Sequence, residues 1–310
     1  MQPAQQDKMF NAQADHCLTP DGEPRGYIQP GVLKELWFHT GTTCNLSCPF
    51  CLEGSKPGDD RLNRVSFEDV WSFIDEAIDL GVERFSFTGG EPFVIKDFLK
   101  ILDYALEFRP CLVLTNATRP LAIRFNEILP LRQKPNPLHF RVSLDYPDPA
   151  QHDVNRGEGN FELSLSLLGR LHGVGFSVSI ARQRYPDENT EEVDRAFRPF
   201  LARAGLPADI RIVNFPGFLT PGTKAKVPQI TEGCMTKYHT EESRAKFMCH
   251  FSKMVIKRGG RMAVSACTLV DDDEGYDLAP TLKESMAARI YLKHHRCYSC
   301  FARGASCSGM

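Results

Sequence analysis

From Leu33 onward the chain alternates short apolar runs with amphipathic stretches, regularly enough to assign elements. The run from Lys34 to Thr40 (KELWFHT) reads as a buried strand, and Arg84 to Thr88 (RFSFT) as a second. Further strand-like runs, LVLTN, HFRVSLD and FSVSIA, begin at Leu112, His139 and Phe176, and Asp209 to Asn214 closes the series. Between these runs the apolar positions move to helical spacing. Val70, Phe73, Ile74 and Ile78 mark one face of a helix from Phe67 to Leu80, with Ser66 placed as its N-cap. Helical patterns also cover Phe98 to Phe108, Leu121 to Ile128, Phe161 to Leu171 and Glu191 to Ala204.

About six strand-then-helix units in succession predict a parallel sheet with right-handed crossovers. The stretch is shorter than the ~250 residues and eight units of a complete barrel. The expected fold class is therefore α/β, a partial (β/α)6 TIM-like barrel, with a doubly wound open sheet as the alternative. In both, ligands collect at the carboxyl ends of the strands, so the residues following each strand carry the interest. Residues 1–32, rich in Gln, Asp, Gly and Pro and without a period, read as an irregular N-terminal arm. The barrel core is assigned to 33–216 and a Gly-, Pro- and Lys-rich linker to 217–233. A small C-terminal cysteine-rich α+β domain is assigned to 234–310.

Composition narrows the class. Hydrophobic content of 42% and charged content of 25% are those of a folded globular protein, and a net charge of −2 offers no basic field for nucleic acid or membrane surface. No apolar run approaches the ~20 residues of a membrane span, and the polar opening MQPAQQDKMFNAQADHC is not a secretory leader. The expectation is a cytoplasmic protein. Thiols stay reduced there, so the eleven cysteines, an odd number, read as metal ligands before disulfides.

Cys44, Cys48 and Cys51 (CNLSCPFC) directly follow the first strand. Three thiolates on one tight loop can hold three irons of a 4Fe–4S cube, and Cys111 is the next cysteine in sequence, so the fourth iron is left for an outside ligand. An open coordination position is the mark of a catalytic metal site; a zinc loop is the plainer reading. This spacing, with the aromatic Phe50 before the third cysteine, resembles the signature of the radical S-adenosylmethionine (SAM) superfamily. The resemblance implies that SAM chelates the open iron and is cleaved to methionine and a 5′-deoxyadenosyl radical.

Two other strand ends carry the same resemblance. Gly89, Gly90, Glu91 and Pro92 follow the second strand as the family's GGEP motif, which binds the methionine amino group. VSLDYPDPAQHDVNRG is similar to the family segment from Ser-x-Asp to His-Asp-x-x-Arg. It makes Ser143 and Asp145 candidate SAM contacts and Arg156 a partner for a carboxylate of SAM or substrate. His152 and Asp153 read equally well as a surface turn. Asn116 ends the third strand where the family often has Thr-Asn-Gly; here Ala117 replaces the Gly.

From Cys234 to the end stand Cys234, Cys249, Cys267, Cys297, Cys300 and Cys307. Cys249 and Cys267 flank a hairpin predicted around Arg258-Gly259-Gly260-Arg261, and Cys297 and Cys300 form a C-x2-C pair. On geometry alone this set could be a zinc ribbon. It also resembles the twitch and SPASM extensions of radical SAM enzymes, which carry auxiliary 4Fe–4S clusters. That resemblance assigns Cys249, Cys267, Cys297 and Cys300 to one auxiliary cluster, with Cys307 or Cys234 available for a second. The implied cofactors are SAM and two 4Fe–4S clusters, or three.

The implied activity is hydrogen abstraction from a C–H bond of a small metabolite, giving a net oxidation with an electron passed to the auxiliary cluster. A peptide-modifying enzyme (crosslinking or epimerising), a sulfatase-maturase-like enzyme and a non-enzymatic iron–sulfur electron carrier are the alternatives. The preference for a metabolite rests on the 32 residues before the first strand, too few for a leader-binding module. A reductant such as flavodoxin or ferredoxin is the expected partner, with no nucleic acid and no membrane.

Overall fold

A computed structural model describes residues 16–185, 187–215 and 217–304 of the chain. After a short β1 (Tyr27–Ile28), the apolar runs form β2 (Glu35–His39), β3 (Arg84–Thr88), β4 (Cys111–Thr115), β5 (Leu138–Ser143), β6 (Ser177–Gln183) and β7 (Ile212–Phe215). Strands β2 to β7 lie side by side in chain order, each neighbouring pair parallel. Helices α1 (Phe67–Asp79), α2 (Phe98–Phe108), α3 (Arg119–Ile128), α4 (Pro149–Arg156) and α5 (Asn160–Gly173) fall between them. All five positions of β2 are buried, as befits a parallel strand covered on both faces.

Alternation along the strands sorts two cores. Leu36, Phe38, Cys111 and Val113 point to the helices and pack with Val70, Phe73 and Ile74 of α1. Each such buried side chain contributes about 1.5–3 kcal/mol. A reciprocal capping box, with the Ser66 N–H on Asp69 Oδ2 at 2.7 Å, fixes where α1 starts. Trp37 and Leu112 point the other way, into a second core that includes the four cysteines Cys249, Cys267, Cys297 and Cys300.

The strands of the 234–310 segment continue the main sheet. β8 (Ser252–Arg258) lies parallel to β2 on the side away from β3, and β9 (Arg261–Ser265) and β10 (Asp277–Ala279) follow antiparallel. The β8–β9 turn is the predicted Gly259-Gly260 pair, with φ of 55° and 75°, the two positive values a type I′ hairpin requires. β11 (Ile290–Tyr291) pairs with β1.

Two elements depart from the sequence pattern. The helix expected over Glu191 to Ala204 is two, Thr190–Ala196 and Arg198–Arg203, because Pro199 cannot continue a helix from its interior but fits the first turn of a new one. Helix α4 covers His152 and Asp153, for which a surface turn was the equal alternative. Asp148 caps it by accepting from the Gln151 N–H at 2.9 Å, and Pro149 occupies its first position.

Candidate active site

Cys44, Cys48 and Cys51 stand on the loop after β2, at the carboxyl end of the parallel strands, and line a cavity of about 200 Å³. Of the residues singled out on the other strand ends, Phe50, Gly89, Gly90, Asn116, Ser143, Asp145 and Arg156 line the same cavity. Burial pushes the Cys44 thiol up to about 12 and raises Cys48 and Cys51 as well, with Arg156 opposing the shift at Cys48. Thiols so desolvated lose their protons to a metal rather than to water.

The glycine pair is required by the protein's own packing. A Cβ at Gly90 would stand 2.1 Å from the Thr43 carbonyl oxygen, and Gly89 has φ of 135°. The Gly90 and Glu91 N–H groups donate to the Gly41 and Thr43 carbonyls at 2.8 and 3.1 Å, locking the end of β3 onto the approach to Cys44.

Glu91 sits behind this turn. Its carboxylate accepts from the Phe93 N–H, the Thr115 hydroxyl and the Asn116 N–H, at 3.1, 2.9 and 2.8 Å. Burial raises it to about 7 against those three hydrogen bonds. Asn116 in turn donates through Nδ2 to Asn45 Oδ1 at 3.0 Å and faces Cys44 Sγ at 3.8 Å. Ala117, where the family often has Gly, is buried at φ of 50°, so the left-handed turn is kept without the glycine.

Arg156, at the end of α4, pairs with Asp145 and lies over the Phe50 ring at 5.6 Å. His152 and Asp153 are not a surface turn. His152 is buried against Phe161, and Asp153 accepts from the Gly159 and Phe161 N–H groups at the start of α5.

The second cysteine set lies on the inner face beyond β2. Cys249, Cys267, Cys297 and Cys300 are all buried and line one small cavity. The Leu269 N–H donates to Cys267 Sγ at 3.3 Å, and the Tyr276 hydroxyl lies 3.5 Å from Cys297 Sγ. Burial pushes Cys297 up to about 12 and raises Cys249 and Cys267 too. Cys234 is half-buried, its thiol accepting from the Thr231 hydroxyl at 3.3 Å. Cys307 lies outside the described residues.

Between the two cavities runs a buried ionic network that the sequence reading missed. The Gly41 N–H donates to His39 Nδ1, so Nε2 carries the proton and donates to Glu53 at 2.9 Å. Asp271 pairs with Arg61 and Arg296, and Arg296 also donates to the carbonyls of Leu52, Leu219 and Leu269 at 2.9, 2.8 and 2.6 Å. Burial would raise Glu53, but His39, a hydrogen bond with Asp271 and Arg61 hold it low; burial and the Glu53 charge push Asp271 up. The signal in the sequence was the acidic run Asp271 to Glu274, which reads as a solvated loop until Arg296, 25 residues away, is seen to reach it.

Metal capacity separates these groups. Among the described residues, His39, Glu53 and Asp271 bring their ligand atoms within 4.8 Å of one another, but two guanidinium groups already occupy Asp271. Neither cysteine set is that compact.

A largely parallel α/β sheet with a cysteine loop and a cavity at its strand ends is the architecture of a partial barrel with a ligand site at its carboxyl end. The Radical SAM superfamily model matches residues 38–198, and the chain belongs to that superfamily, whose members use a 4Fe–4S cluster and SAM. The chain is 32% identical over 191 residues to the antilisterial bacteriocin subtilosin biosynthesis protein AlbA of Bacillus subtilis, a match covering 61% of this chain and 41% of AlbA. It is 29% identical over 139 residues to the GTP 3′,8-cyclase of Actinobacillus pleuropneumoniae, covering 43% and 39% of the two chains. The chain thus spans about two-fifths of the length of these curated relatives. Among solved structures, Streptococcus suis SuiB bound to SAM shares the fold at a TM-score of 0.56 and 16% identity, over 84% of this chain and 64% of SuiB. SuiB has also been solved bound to its precursor peptide SuiA. No helix among the described residues is long and apolar enough to cross a membrane.

Proposed function

We propose that this radical SAM enzyme modifies a peptide, using a SAM-binding 4Fe–4S cluster on Cys44, Cys48 and Cys51 and an auxiliary 4Fe–4S cluster on Cys249, Cys267, Cys297 and Cys300. The observation that carries the proposal is the convergence of three cysteines and the residues of three further strand ends on one cavity. When bound, the first cluster supplies the electron that splits SAM into methionine and a 5′-deoxyadenosyl radical.

This chain's residues hold, orient and shield. Gly89 and Gly90 keep the β3 turn close against the cysteine loop, and Glu91 fixes the Asn116 backbone beside it. Arg156, braced by Asp145 next to Cys48, presents a planar donor fork suited to the carboxylate of SAM. Phe50, Trp37, Leu114, Phe215 and Phe218 supply apolar walls that exclude water from a reactive carbon radical. For the second set, four buried thiols line one small cavity, as a 4Fe–4S cluster held by four cysteines requires.

The peptide assignment is supported by AlbA, named for bacteriocin biosynthesis, and by SuiB, solved with a precursor peptide. The likeness to GTP 3′,8-cyclase favours a small-metabolite substrate as the second reading. The test is deuterium transfer. Peptides encoded near the gene, deuterated at their carbon positions, are expected to pass deuterium into 5′-deoxyadenosine. Transfer from a small metabolite and from no peptide overturns the peptide assignment.

A further inference from the structure

Lys253 is wholly buried on β8, four residues after Cys249. Its ammonium donates to the Cys249 and Ser252 carbonyls at 2.9 and 3.2 Å. Among the described residues no carboxylate pairs with it, while the other buried cation here, Arg296, is answered by Asp271. A buried charge without a counter-charge is strongly unfavourable, and a side chain retained in that state implies a partner of opposite sign. Burial lowers Lys253 to about 8, and the thiols of Cys249 and Cys267, once ionised by a metal, are the groups that oppose that shift. Asp273, the carboxylate that acts on Cys297, is engaged by the Gly275 N–H at 2.9 Å.

We propose that Lys253 is the buried counter-ion of the metal centre held by Cys249, Cys267, Cys297 and Cys300, and that its charge raises that centre's reduction potential. The inference rests on the auxiliary-cluster reading given above. Four thiolates around a 4Fe–4S core leave a net negative charge, and a fixed cation in a low-dielectric surrounding favours the state that has gained an electron. The first cysteine set has different company. Glu91, Asp145 and Glu53 stand around it, with Arg156 as the cation that acts on Cys48 and Cys51. The two sites are thus polarised in the sense an enzyme of net oxidation needs, a reducing centre at SAM and a more easily reduced one beyond it.

A lysine that only closes the short helix Met248–Phe251 by binding its carbonyls would leave the potential unmoved, so the potential is the readout. Wild type, Lys253→Met and Lys253→Arg are reconstituted anaerobically, assayed for iron and titrated by EPR potentiometry. The expected result is about eight irons in wild type. Lys253→Met should show a more negative auxiliary potential, the SAM-site potential unchanged, and Lys253→Arg a restored value. Loss of the second cluster in Lys253→Met but not in Lys253→Arg also supports a counter-ion. A fully loaded Lys253→Met protein with the auxiliary potential unchanged, or with both potentials displaced equally, overturns the inference alone. A wild type that binds only about four irons overturns the two-cluster reading itself.

Discussion

His152 is fully buried, and neither ring nitrogen has a hydrogen-bond partner among the described residues. Burial lowers its pKa to about 4, with Arg156 adding to the shift, and burial lowers His139 to about 4 as well. Between that value and the ordinary 6.5 the unfolded chain binds more protons than the folded one, so stability is full above pH 6.5 and falls as pH drops towards 4. His152→Phe keeps the ring contact with Phe161 and removes the orphaned nitrogens. It should raise stability by about 1 kcal/mol at pH 7 and by more at pH 5, measured by urea denaturation at both pH values. An equal gain at both would refute the assignment. At this scale spacing placed Cys44, Cys48 and Cys51 on one loop after β2, where the structure has them lining one cavity, yet whether His152 faced solvent or core depended on α5 folding over it.

At the scale of elements, the turn after β3 holds the site together. Gly90→Ala sets a Cβ 2.1 Å from a backbone oxygen that has no room to yield, whereas Gly173→Ala, at the end of α5, meets open space. The first should cost about 3 kcal/mol and sharply reduce SAM cleavage; the second should be neutral in both chemical denaturation and turnover. Periodicity placed β2 to β6 within two residues and the start of β7 within three, because buried parallel strands write their burial into spacing. Local chemistry below the length of a period escaped it. Asp148-Pro149 started a helix that periodicity did not assign, and Pro199 divided another.

At the scale of the whole molecule, the acidic run at Asp271 ties the two cysteine sites into one body. Asp271 contacts Arg61, on the loop after the first set, and Arg296, adjacent to Cys297. Asp271→Asn leaves two guanidinium groups without their anion and should cost about 3 kcal/mol, with iron lost from both sites on anaerobic reconstitution. Loss from one site alone would show that the network does not couple them. Contacts between residues this far apart leave no local trace in a sequence, which is why β8 joining β2 and the Arg296 network were not foreseen. The central claim remains that Cys44, Cys48 and Cys51 make this a SAM-cleaving site. Its most direct test is the reconstituted protein with dithionite and SAM, assayed for 5′-deoxyadenosine, beside a Cys48→Ala variant. The account predicts 5′-deoxyadenosine from the wild type and none above background from the variant. Absence from both, with the cluster loaded, or equal amounts from both, would contradict it.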